Sequence, residues 1–591
     1  MALGVMVLVA LPFLYGYIAK PAGSTFLGVP FAADDAMVYA AWMRQAMDGA
    51  FLFDNRFAVD PQPGLTFHLY FLILGWLAKV VGIPIAMALA RIGFSGLFVW
   101  LGYQLVRRVV EEPYAQKLSL AVLVFGGGLG FLLWHQFGVT GPVDVWQTEG
   151  FVFPSMLANG LFMVSLCLIL GIFLCVLDAR ESWRSVPLGA LCFCVLMNIH
   201  SYDVLLVALV LVGFLTSSIA AKRASGAWAG RTLVMGLGAV PPALWFLHVL
   251  RNDPVFQARA ATETFSPNFR LVALGFILLV GLGVYGLCFG REYFNELSPR
   301  GKGGLGWFLV LFGAMTAAAG PHSSGYWMTA GLWAGSLISF LAVVWLLASE
   351  NDGRNLLVSW GVIGLIAPFF PALFQRKLMM GLSVPWAILA GIGLAAILAG
   401  RERGVRNLVA IFGLAVLSGT SLQWFFREIA LIRSDVSSTT LHAPYLSPNA
   451  AEIMAKLAEL GPGRRTVIAM PGIALPGPTP GTFGAPYLPD LNPVASGLTG
   501  AYSYAGHWSE TPEYMRRRDD ATLFFLRRTP EEQSAFLKEK QIDYLIAPVP
   551  EAFPEIIQMN QGRALPDVRG LGEVLVDGPQ FRLIRVRFTS P

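Results

Sequence analysis

The sequence predicts a polytopic α-helical membrane protein with about 13 transmembrane helices and a C-terminal α/β domain outside the membrane. Of its 591 residues, 55% are hydrophobic and the mean hydropathy is +0.61, so the chain has more apolar surface than a soluble domain can bury. It also divides into many apolar stretches close to the length that crosses a bilayer. Beyond Phe425 these stretches end, and shorter helix and strand patterns replace them.

The predicted spans are distributed from the first residues to Phe425. The first has neither a basic n-region nor a small-residue cleavage site, so we expect a retained span and not a removed signal peptide. The stretch from Leu65 to Val81 is also apolar, but we interpret it as an interfacial or re-entrant helix. The predicted spans are residues 3–19, 87–106, 118–135, 155–177, 186–199, 203–220, 231–249, 270–290, 304–319, 326–348, 356–373, 378–399 and 404–425.

The loop charges predict the orientation of these spans. Fifteen basic residues fall in the loops on one side, whereas the short loops on the other side after residue 65 hold four. Loops rich in Lys and Arg face the cytoplasm, so we expect the first loop and everything beyond Phe425 on the outer face. The fifteen are Arg107, Arg108, Lys117, Arg180, Arg184, Lys222, Arg223, Arg231, Arg291, Arg300, Lys302, Arg354, Arg401, Arg403 and Arg406; the four are Arg251, Arg259, Arg376 and Lys377.

Residues 426–591 are predicted to form a soluble extracytoplasmic α/β domain, and residues 1–425 a transmembrane domain with an outer-face loop at 20–65. The polar-aromatic run 501–518 is a surface turn or a loop facing the membrane domain. In the second case His507 and Glu510 are candidates for substrate binding. The expected elements are a helix from Pro448 to about Leu460, a strand from Arg465 to Met470, a helix after Thr529 to about Lys540, a strand from Asp543 to Ala547, and a hairpin across Asp577-Gly578.

Several other classes of protein are disfavoured. The five cysteines all lie in apolar segments and have no zinc-like spacing with histidine, so neither disulfides nor a structural metal is expected. The net charge of +5 is explained by topology, and we expect no nucleic-acid partner. No internal repeat of the kind found in secondary transporters is visible.

The first outer loop concentrates carboxylates, since residues 28–64 hold five of the 37 acidic residues. A helix from Ala33 to Met47 would carry an apolar stripe typical of a helix on a membrane surface, with Asp34 and Asp35 at its N-terminal end. This acidic pair either anchors the loop in water or acts as a general base or metal ligand. Adjacent helical residues diverge by about 100°, so we expect one to be catalytic while the other caps the helix or holds the acceptor.

The second outer loop offers Asp144 and Glu149, with no basic residue to neutralise them. Acidic residues from two outer loops could bind one acceptor or one divalent cation, Mg²⁺ or Mn²⁺. The candidate metal ligands are then Asp35, Asp144 and Glu149. For the two residues of the second loop, solvated loop charges are a nearly equal alternative.

A cationic pair and a helix junction complete the candidates. Arg376 and Lys377 lie where the outer loops are otherwise almost free of cations, and they suit a phosphate, Arg through its bidentate fork and Lys as a point charge. Snorkelling to lipid headgroups explains this cationic pair equally well. His200 and Asp203 lie at the junction of two short spans, where polar groups are functional candidates, although a hydrogen-bonded helix break is an adequate alternative.

Together these features resemble the GT-C superfamily of membrane glycosyltransferases, which includes protein O-mannosyltransferases and the aminoarabinose transferase of lipid A. The similarity rests on the first span, the outer loop with its Asp-Asp pair, the run Pro61-Gln-Pro-Gly-Leu65 into an interfacial helix, and Ala90-Arg-Ile-Gly93 opening the next span. The span count, the outward C-terminal domain and the cationic pair before a late span are similar too. The chain also resembles uncharacterised bacterial members, which implies the bacterial inner membrane.

The resemblance implies a reaction and its partners. A polyprenyl-phosphate sugar would be the donor, and a glycan, lipid or protein hydroxyl the acceptor, with membrane lipids around both. One member of the acidic pair would take the acceptor proton, so that the hydroxyl attacks the anomeric carbon with inversion. The cationic pair would stabilise the leaving phosphate. One alternative is a transporter or flippase of an anionic lipid-linked sugar, which would use the cationic pair without chemistry. Another is an interaction or scaffold protein of envelope assembly, which would need neither the acidic loop nor the cationic pair.

Overall fold

The computed structural model describes residues 1–137, 141–290, 293, 297–319, 325–435, 443–461, 463–476 and 483–588. The chain forms two compact units. Unit 1 contains Met1–Val9, Ala90–Trp245 and Glu263–Arg427, and unit 2 contains Ala10–Leu89, Phe246–Thr262 and Glu428–Pro591. The last division between the units thus falls beside the domain boundary that the sequence predicts. The loop 20–65, which we predicted to belong with the transmembrane domain, lies in unit 2.

Helices account for most of the described chain. In order they are α1 (Ala2–Ile18), α2 (Ala33–Met47), α3 (Leu69–Val81), α4 (Ile83–Val109), α5 (Pro113–Phe125), α6 (Gly130–Phe137), α7 (Val152–Ala158), α8 (Gly160–Asp178), α9 (Val186–Ile199), α10 (Ser201–Ala220), α11 (Gly226–Gly236), α12 (Val240–Asn252), α13 (Pro254–Ala260), α14 (Phe269–Phe289), α15 (Pro299–Ala318), α16 (Ala330–Leu346), α17 (Asp352–Ile366), α18 (Ser383–Leu398), α19 (Arg403–Leu417), α20 (Gly419–Ser434), α21 (Pro448–Glu459), α22 (Asn492–Thr499), α23 (Tyr514–Leu526), α24 (Pro530–Lys540) and α25 (Pro554–Met559).

Each of the thirteen predicted spans coincides with helical structure. By length and composition, seven of the described helical segments could cross a membrane, or eight if α19 and α20, bent by 54°, count as one span. Other apolar helices are shorter, such as α9 with 14 residues and α16 with 17. The chain is therefore a polytopic helical membrane protein. Helix α3 has 13 residues and a length of about 20 Å, less than a hydrocarbon core of about 30 Å, as expected of an interfacial helix.

The core of unit 1 is built on close helix packing between α14, α18 and α5. Small residues let the backbones approach: a Cβ added at Gly391 would meet the Ser119 backbone at 2.3 Å, and one at Gly393 would meet the Leu282 carbonyl at 2.0 Å. Such glycine contacts are typical of helix interfaces in membranes, where van der Waals packing replaces the hydrophobic effect.

The C-terminal part of unit 2 contains a five-stranded mixed sheet in the order β6-β3-β7-β9-β8. Strand β3 is parallel to β6 and β7, whereas β9 is antiparallel to β7 and β8. The predicted helices, strands and hairpin of this region are confirmed within about two residues, including a capping box between Thr529 and Glu532. The strands of the chain are β1 (Thr25–Phe26), β2 (Tyr445–Leu446), β3 (Thr466–Ala469), β4 (Ile473–Pro476), β5 (Phe483–Leu488), β6 (Tyr502–Ser503), β7 (Tyr544–Pro548), β8 (Gly572–Asp577) and β9 (Phe581–Val586).

The first loop is an integral part of unit 2. Strand β1 pairs antiparallel with β2, and helix α2 packs on α3 and α22. A Cβ at Gly75 of α3 would meet the Met43 carbonyl at 2.7 Å, and one at Gly497 of α22 would meet the Met37 carbonyl at 2.9 Å. The apolar stripe that favoured a membrane surface for α2 therefore packs against protein. This stripe, including Ala40, is buried against these two helices.

Candidate functional site

Two other carboxylates of the first loop serve to attach it within unit 2. Asp54 pairs with Arg56 at 2.8 Å and accepts a hydrogen bond from the Tyr502 hydroxyl. Nη2 of Arg517 donates to both carboxylate oxygens of Asp60, at 2.8 Å and 2.7 Å. These contacts join the loop to the sheet and to α23, so both carboxylates have structural partners that a ligand would have to displace.

The acidic pair, in contrast, faces one histidine. Nε2 of His507 lies 3.3 Å from Oδ1 of Asp35 and 3.6 Å from Oδ2 of Asp34. The His507 side chain is 1% exposed, that of Asp34 is 16% exposed and that of Asp35 is 50% exposed. The expectation that the two adjacent carboxylates point apart is therefore wrong, because side-chain torsions bring both to the same nitrogen. Neither contact has ideal hydrogen-bond geometry, so the imidazole faces the pair as a shared partner.

The contacts of the other ring nitrogen, Nδ1, decide where the proton of the His507 ring lies. Nδ1 lies 3.2 Å from the backbone N–H of Ser509 and 3.1 Å from the Ser509 hydroxyl. A backbone N–H can only donate, so Nδ1 accepts and the ring proton lies on Nε2, toward the carboxylates. Burial lowers the pKa of His507, but Asp35 and Asp34 outweigh burial and raise it overall. Because Nδ1 accepts the Ser509 backbone N–H, protonation of Nδ1 would break that hydrogen bond and is disfavoured.

A short network fixes the loop that carries His507. The hydroxyl of Thr511 accepts the His507 backbone N–H at 3.1 Å and donates to the Phe57 carbonyl at 2.6 Å. The side-chain amide of Asn55 donates to the Glu510 carbonyl at 2.8 Å. The histidine and the acidic pair are thus held by the same two chain segments, the first loop and the run 501–518.

Glu510 has a partner of its own. Its Oε1 lies 2.8 Å from Nε of Arg259, which belongs to α13, and only 6% of its side chain is exposed. That Glu510 binds substrate stays a prediction; in this arrangement the carboxylate is enclosed and one of its oxygens is paired with Arg259. Tyr514, at the start of α23, was not among the predicted residues. It interacts electrostatically with Asp34, and burial raises its pKa above the usual range.

Unit 1 brings together five other predicted residues, which we call the Glu149 cluster: Glu149, His200, Asp203, Arg376 and Lys377. Nζ of Lys377 donates to Oε1 of Glu149 at 3.1 Å. Burial raises the pKa of Glu149, but Lys377 and Arg376 outweigh it and lower the pKa overall. Nδ1 of His200 lies 2.9 Å from Oδ2 of the fully buried Asp203, which interacts electrostatically with Glu149 and Lys377.

Arg376 differs from its neighbour in this cluster. Its backbone N–H donates to the Thr264 carbonyl at 3.0 Å and fixes the chain. Within the part of the chain that the structure describes, its guanidinium has no hydrogen-bond or ion-pair partner, although Nε is buried. A partly buried guanidinium without an acceptor is suited to a ligand oxyanion. Lys377, by contrast, is already engaged with Glu149.

Asp144 is enclosed in unit 1 and has no exposed surface. Its Oδ2 accepts the backbone N–H groups of Gly128 and Gly130 at 3.0 Å each and the Thr420 hydroxyl at 2.6 Å. Burial nevertheless raises the pKa of Asp144 to about 6. That Asp144 binds substrate stays a prediction; in the structure its Oδ2 holds the second outer loop to α6 and α20.

In unit 1 the two predicted metal ligands, Asp144 and Glu149, are partly engaged with other partners. The Oδ2 lone pairs of Asp144 are taken by N–H and O–H donors, and Glu149 is neutralised by Lys377 and also accepts from Gln147 at 2.9 Å. Among the described residues, no group of three or more His, Cys, Asp or Glu side chains forms a candidate metal centre.

Comparison with known proteins gives a structural likeness but no sequence match. No family model and no curated protein matches the sequence. The structure is similar to the archaeal oligosaccharyltransferase AglB from Archaeoglobus fulgidus, solved in complex with an inhibitory peptide and a dolichol-phosphate. The sequence identity is 11% and the TM-score 0.44, over 93% of this chain and 69% of that chain.

Proposed function

We propose that this protein is a membrane glycosyltransferase that moves a sugar from a polyprenyl-phosphate donor to an acceptor hydroxyl, on the outer face of a bacterial inner membrane. The observation that supports this proposal is the acidic pair, held beside a buried histidine and half exposed at Asp35. A carboxylate that is both positioned and accessible suits a general base. The acceptor can be a glycan, a lipid or a protein.

The base is Asp35 in this proposal. It is the more exposed member of the pair, so an acceptor hydroxyl can approach it, whereas Asp34 is mostly buried. Asp35 takes the hydroxyl proton while the acceptor oxygen forms a bond to the anomeric carbon. The bond from that carbon to the phosphate oxygen breaks, and the lipid phosphate leaves with the electron pair. One displacement of this kind inverts the anomeric centre.

A second proposal concerns unit 1 by itself, where Arg376 would bind a lipid phosphate. Its guanidinium offers a planar fork for two phosphate oxygens. Lys377 adds positive charge, although Glu149 offsets it at 3.1 Å. Replacing Arg376 by Lys keeps the charge but removes the fork, so binding of a polyprenyl-phosphate sugar should weaken severalfold. If Arg376→Lys and Arg376→Gln both bind like the parent, the residue serves only to snorkel toward lipid headgroups.

The proposal is tested by transfer from a panel of undecaprenyl-phosphate hexoses and pentoses to an envelope extract, with purified protein in nanodiscs. Asp35→Asn should lower turnover by about 10² to 10⁴-fold, the contribution of a general base, and Asp34→Asn by less. Asp60→Asn is the matched control, because it removes a first-loop carboxylate that has a structural partner. It should keep turnover within about threefold.

Two results would contradict the proposal. Turnover within about threefold of the parent in both acidic-pair variants, with unchanged thermal unfolding, would exclude this loop as the catalytic site. A parent protein that transfers no sugar but moves the lipid-linked sugar across the vesicle membrane would instead support the transporter alternative. Release of undecaprenyl phosphate and the sidedness of the labelled sugar are measured in the same vesicles.

A further inference from the structure

We infer that His507 is a positioning residue for the acidic pair and does not itself contact the substrate. Its Nε2–H faces Asp34 and Asp35 together and keeps Asp35 in the orientation of a base. This inference rests on the proposed function, because it assigns a role to a residue beside the proposed base. The sequence predicted His507 as a substrate-binding residue, but its side chain is 1% exposed.

The His507 ring is held by contacts on its Nδ1 edge and by the ring of Phe57. Nδ1 accepts from the Ser509 backbone N–H at 3.2 Å, and the ring of Phe57 stands edge-on at 5.9 Å between centroids. The backbone on either side is fixed by Thr511. Since the ring cannot turn without losing these contacts, the Nε2–H has a fixed direction. A donor with a fixed direction can position a mobile carboxylate.

Several charged and titratable side chains surround the His507 ring. The two carboxylates of α2 are the nearest, at 3.3 Å and 3.6 Å, so their facing oxygens lie within about 7 Å of each other. Glu510 is the next anion, and Arg259 neutralises it at 2.8 Å. Tyr514 of α23 lies near Asp34. The Nε2–H of His507 gives the two carboxylates of the acidic pair one shared donor.

His507 is not arranged to accept a proton from a substrate. Its second nitrogen is occupied by donors from Ser509, so the ring has no free acceptor through which to take a proton from a substrate. Proton transfer therefore stays with Asp35, and the histidine acts through the carboxylates. Loss of the Nε2–H should lower the rate of transfer and leave the binding of donor almost unchanged.

The test compares two amide variants that separate the two ring nitrogens. In His507→Gln the amide nitrogen reaches the position of Nε2 and can still donate to the acidic pair. In His507→Asn the amide reaches only the position of Nδ1, so it can satisfy Ser509 but not the carboxylates. Both are neutral at every pH used. Ser509→Ala is the control, since it keeps the backbone N–H and removes only the hydroxyl.

We expect His507→Asn to lower kcat about 10 to 100-fold, with KM for an undecaprenyl-phosphate sugar within about threefold of the parent. The acid limb of its pH–rate profile should rise by about one pH unit, because the two carboxylates then repel each other without a shared donor. His507→Gln should restore kcat to within about fivefold of the parent. The acid limb of its pH–rate profile should return to the pH at which it lies in the parent. Ser509→Ala should behave like the parent. If His507→Asn does not fold, His507→Phe replaces it as the variant without a donor.

The outcomes separate this inference from the proposed function. If Asp35→Asn is inactive while His507→Asn keeps the rate and pH profile of the parent, the positioning role is refuted and the base stands. If both His507 variants lose activity equally through a raised KM, the histidine contacts substrate and the inference is wrong. If Asp35→Asn keeps its turnover, the proposed function itself fails, whatever the histidine variants do.

Discussion

Replacing Glu149 by Gln and Lys377 by Met, singly and together, would measure how strongly their ion pair stabilises unit 1. Oε1 of Glu149 lies 3.1 Å from Nζ of Lys377, with side chains 9% and 26% exposed. Gln has the shape of Glu but no charge. Its amide nitrogen would face either the Lys377 ammonium or the donors on Gln147 and Thr148, whichever way it turns. In either orientation, the N–H donors of the introduced Gln amide would face another donor and could not form a hydrogen bond with it.

The geometry sets the magnitude of the effect. Two unit charges at 3.1 Å attract by about 5 kcal/mol at an effective dielectric constant of 20, and desolvation offsets much of this attraction. Breaking a buried pair by removing one partner costs about 3–5 kcal/mol. Because Lys377 is about a quarter exposed, we expect a cost at or below the lower limit of this range, about 2–3 kcal/mol for each single variant. The double variant should cost less than the sum, with a coupling of about 1–3 kcal/mol.

The free energy of unfolding would be measured for the purified protein by denaturant titration in mixed micelles at pH 7. Lys456→Met is a matched control, because Lys456 and Glu459 are also 3.2 Å apart but are 43% and 67% exposed. It should change stability by about 0.5 kcal/mol or less. Single effects that simply add in the double variant would show that Glu149 and Lys377 do not stabilise each other, and the reasoning from their distance would be refuted.

Two further predictions concern Asp144 and the orientation of the chain. Since the pKa of Asp144 is raised from 3.8 to about 6, the folded protein binds a proton that the unfolded chain has released; unfolding free energy should fall by about 3 kcal/mol as pH rises through that window and then level off. Asp144→Asn should flatten this dependence in pH-dependent unfolding, and an unchanged profile would point to another group. In a background without the native cysteines, an impermeant thiol reagent outside intact cells should label a cysteine at Ser447 and spare one at Ser225; the opposite pattern would invert the proposed orientation.

Much of the fold could be predicted because hydropathy and turn chemistry act locally. The spans follow from runs of apolar residues, and α24 follows from the capping box at Thr529. The burial of α2 could not be predicted, since an apolar stripe fits a membrane surface and a protein neighbour equally well. Pairing of β1 with β2 involves two residues on each strand, too few for an alternating pattern to register.

The candidate site was predictable in composition but not in arrangement. Residue type and local charge singled out both the acidic pair and the Glu149 cluster. The ion pair of Glu149 with Lys377 joins residues 228 apart, and no local signal connects them. The approach of Asp34 and Asp35 to one nitrogen depends on side-chain torsions, which helix geometry alone does not specify. Ser509, which fixes the tautomer of His507, lacks any signal beyond its place in a polar run.

The hydrogen bond from Thr511 to the Phe57 carbonyl has a consequence for synthesis, because its partners are 454 residues apart in the chain. At about 5–20 residues per second, a ribosome needs roughly 20 to 90 s between making one partner and the other. During that interval α2 and its carboxylates have left the ribosome while the histidine loop does not yet exist. Unit 2 therefore closes only near the end of translation, and a nascent or truncated chain holds the acidic pair without its imidazole. The order in which the polypeptide is made therefore delays the assembly of the acidic pair with His507.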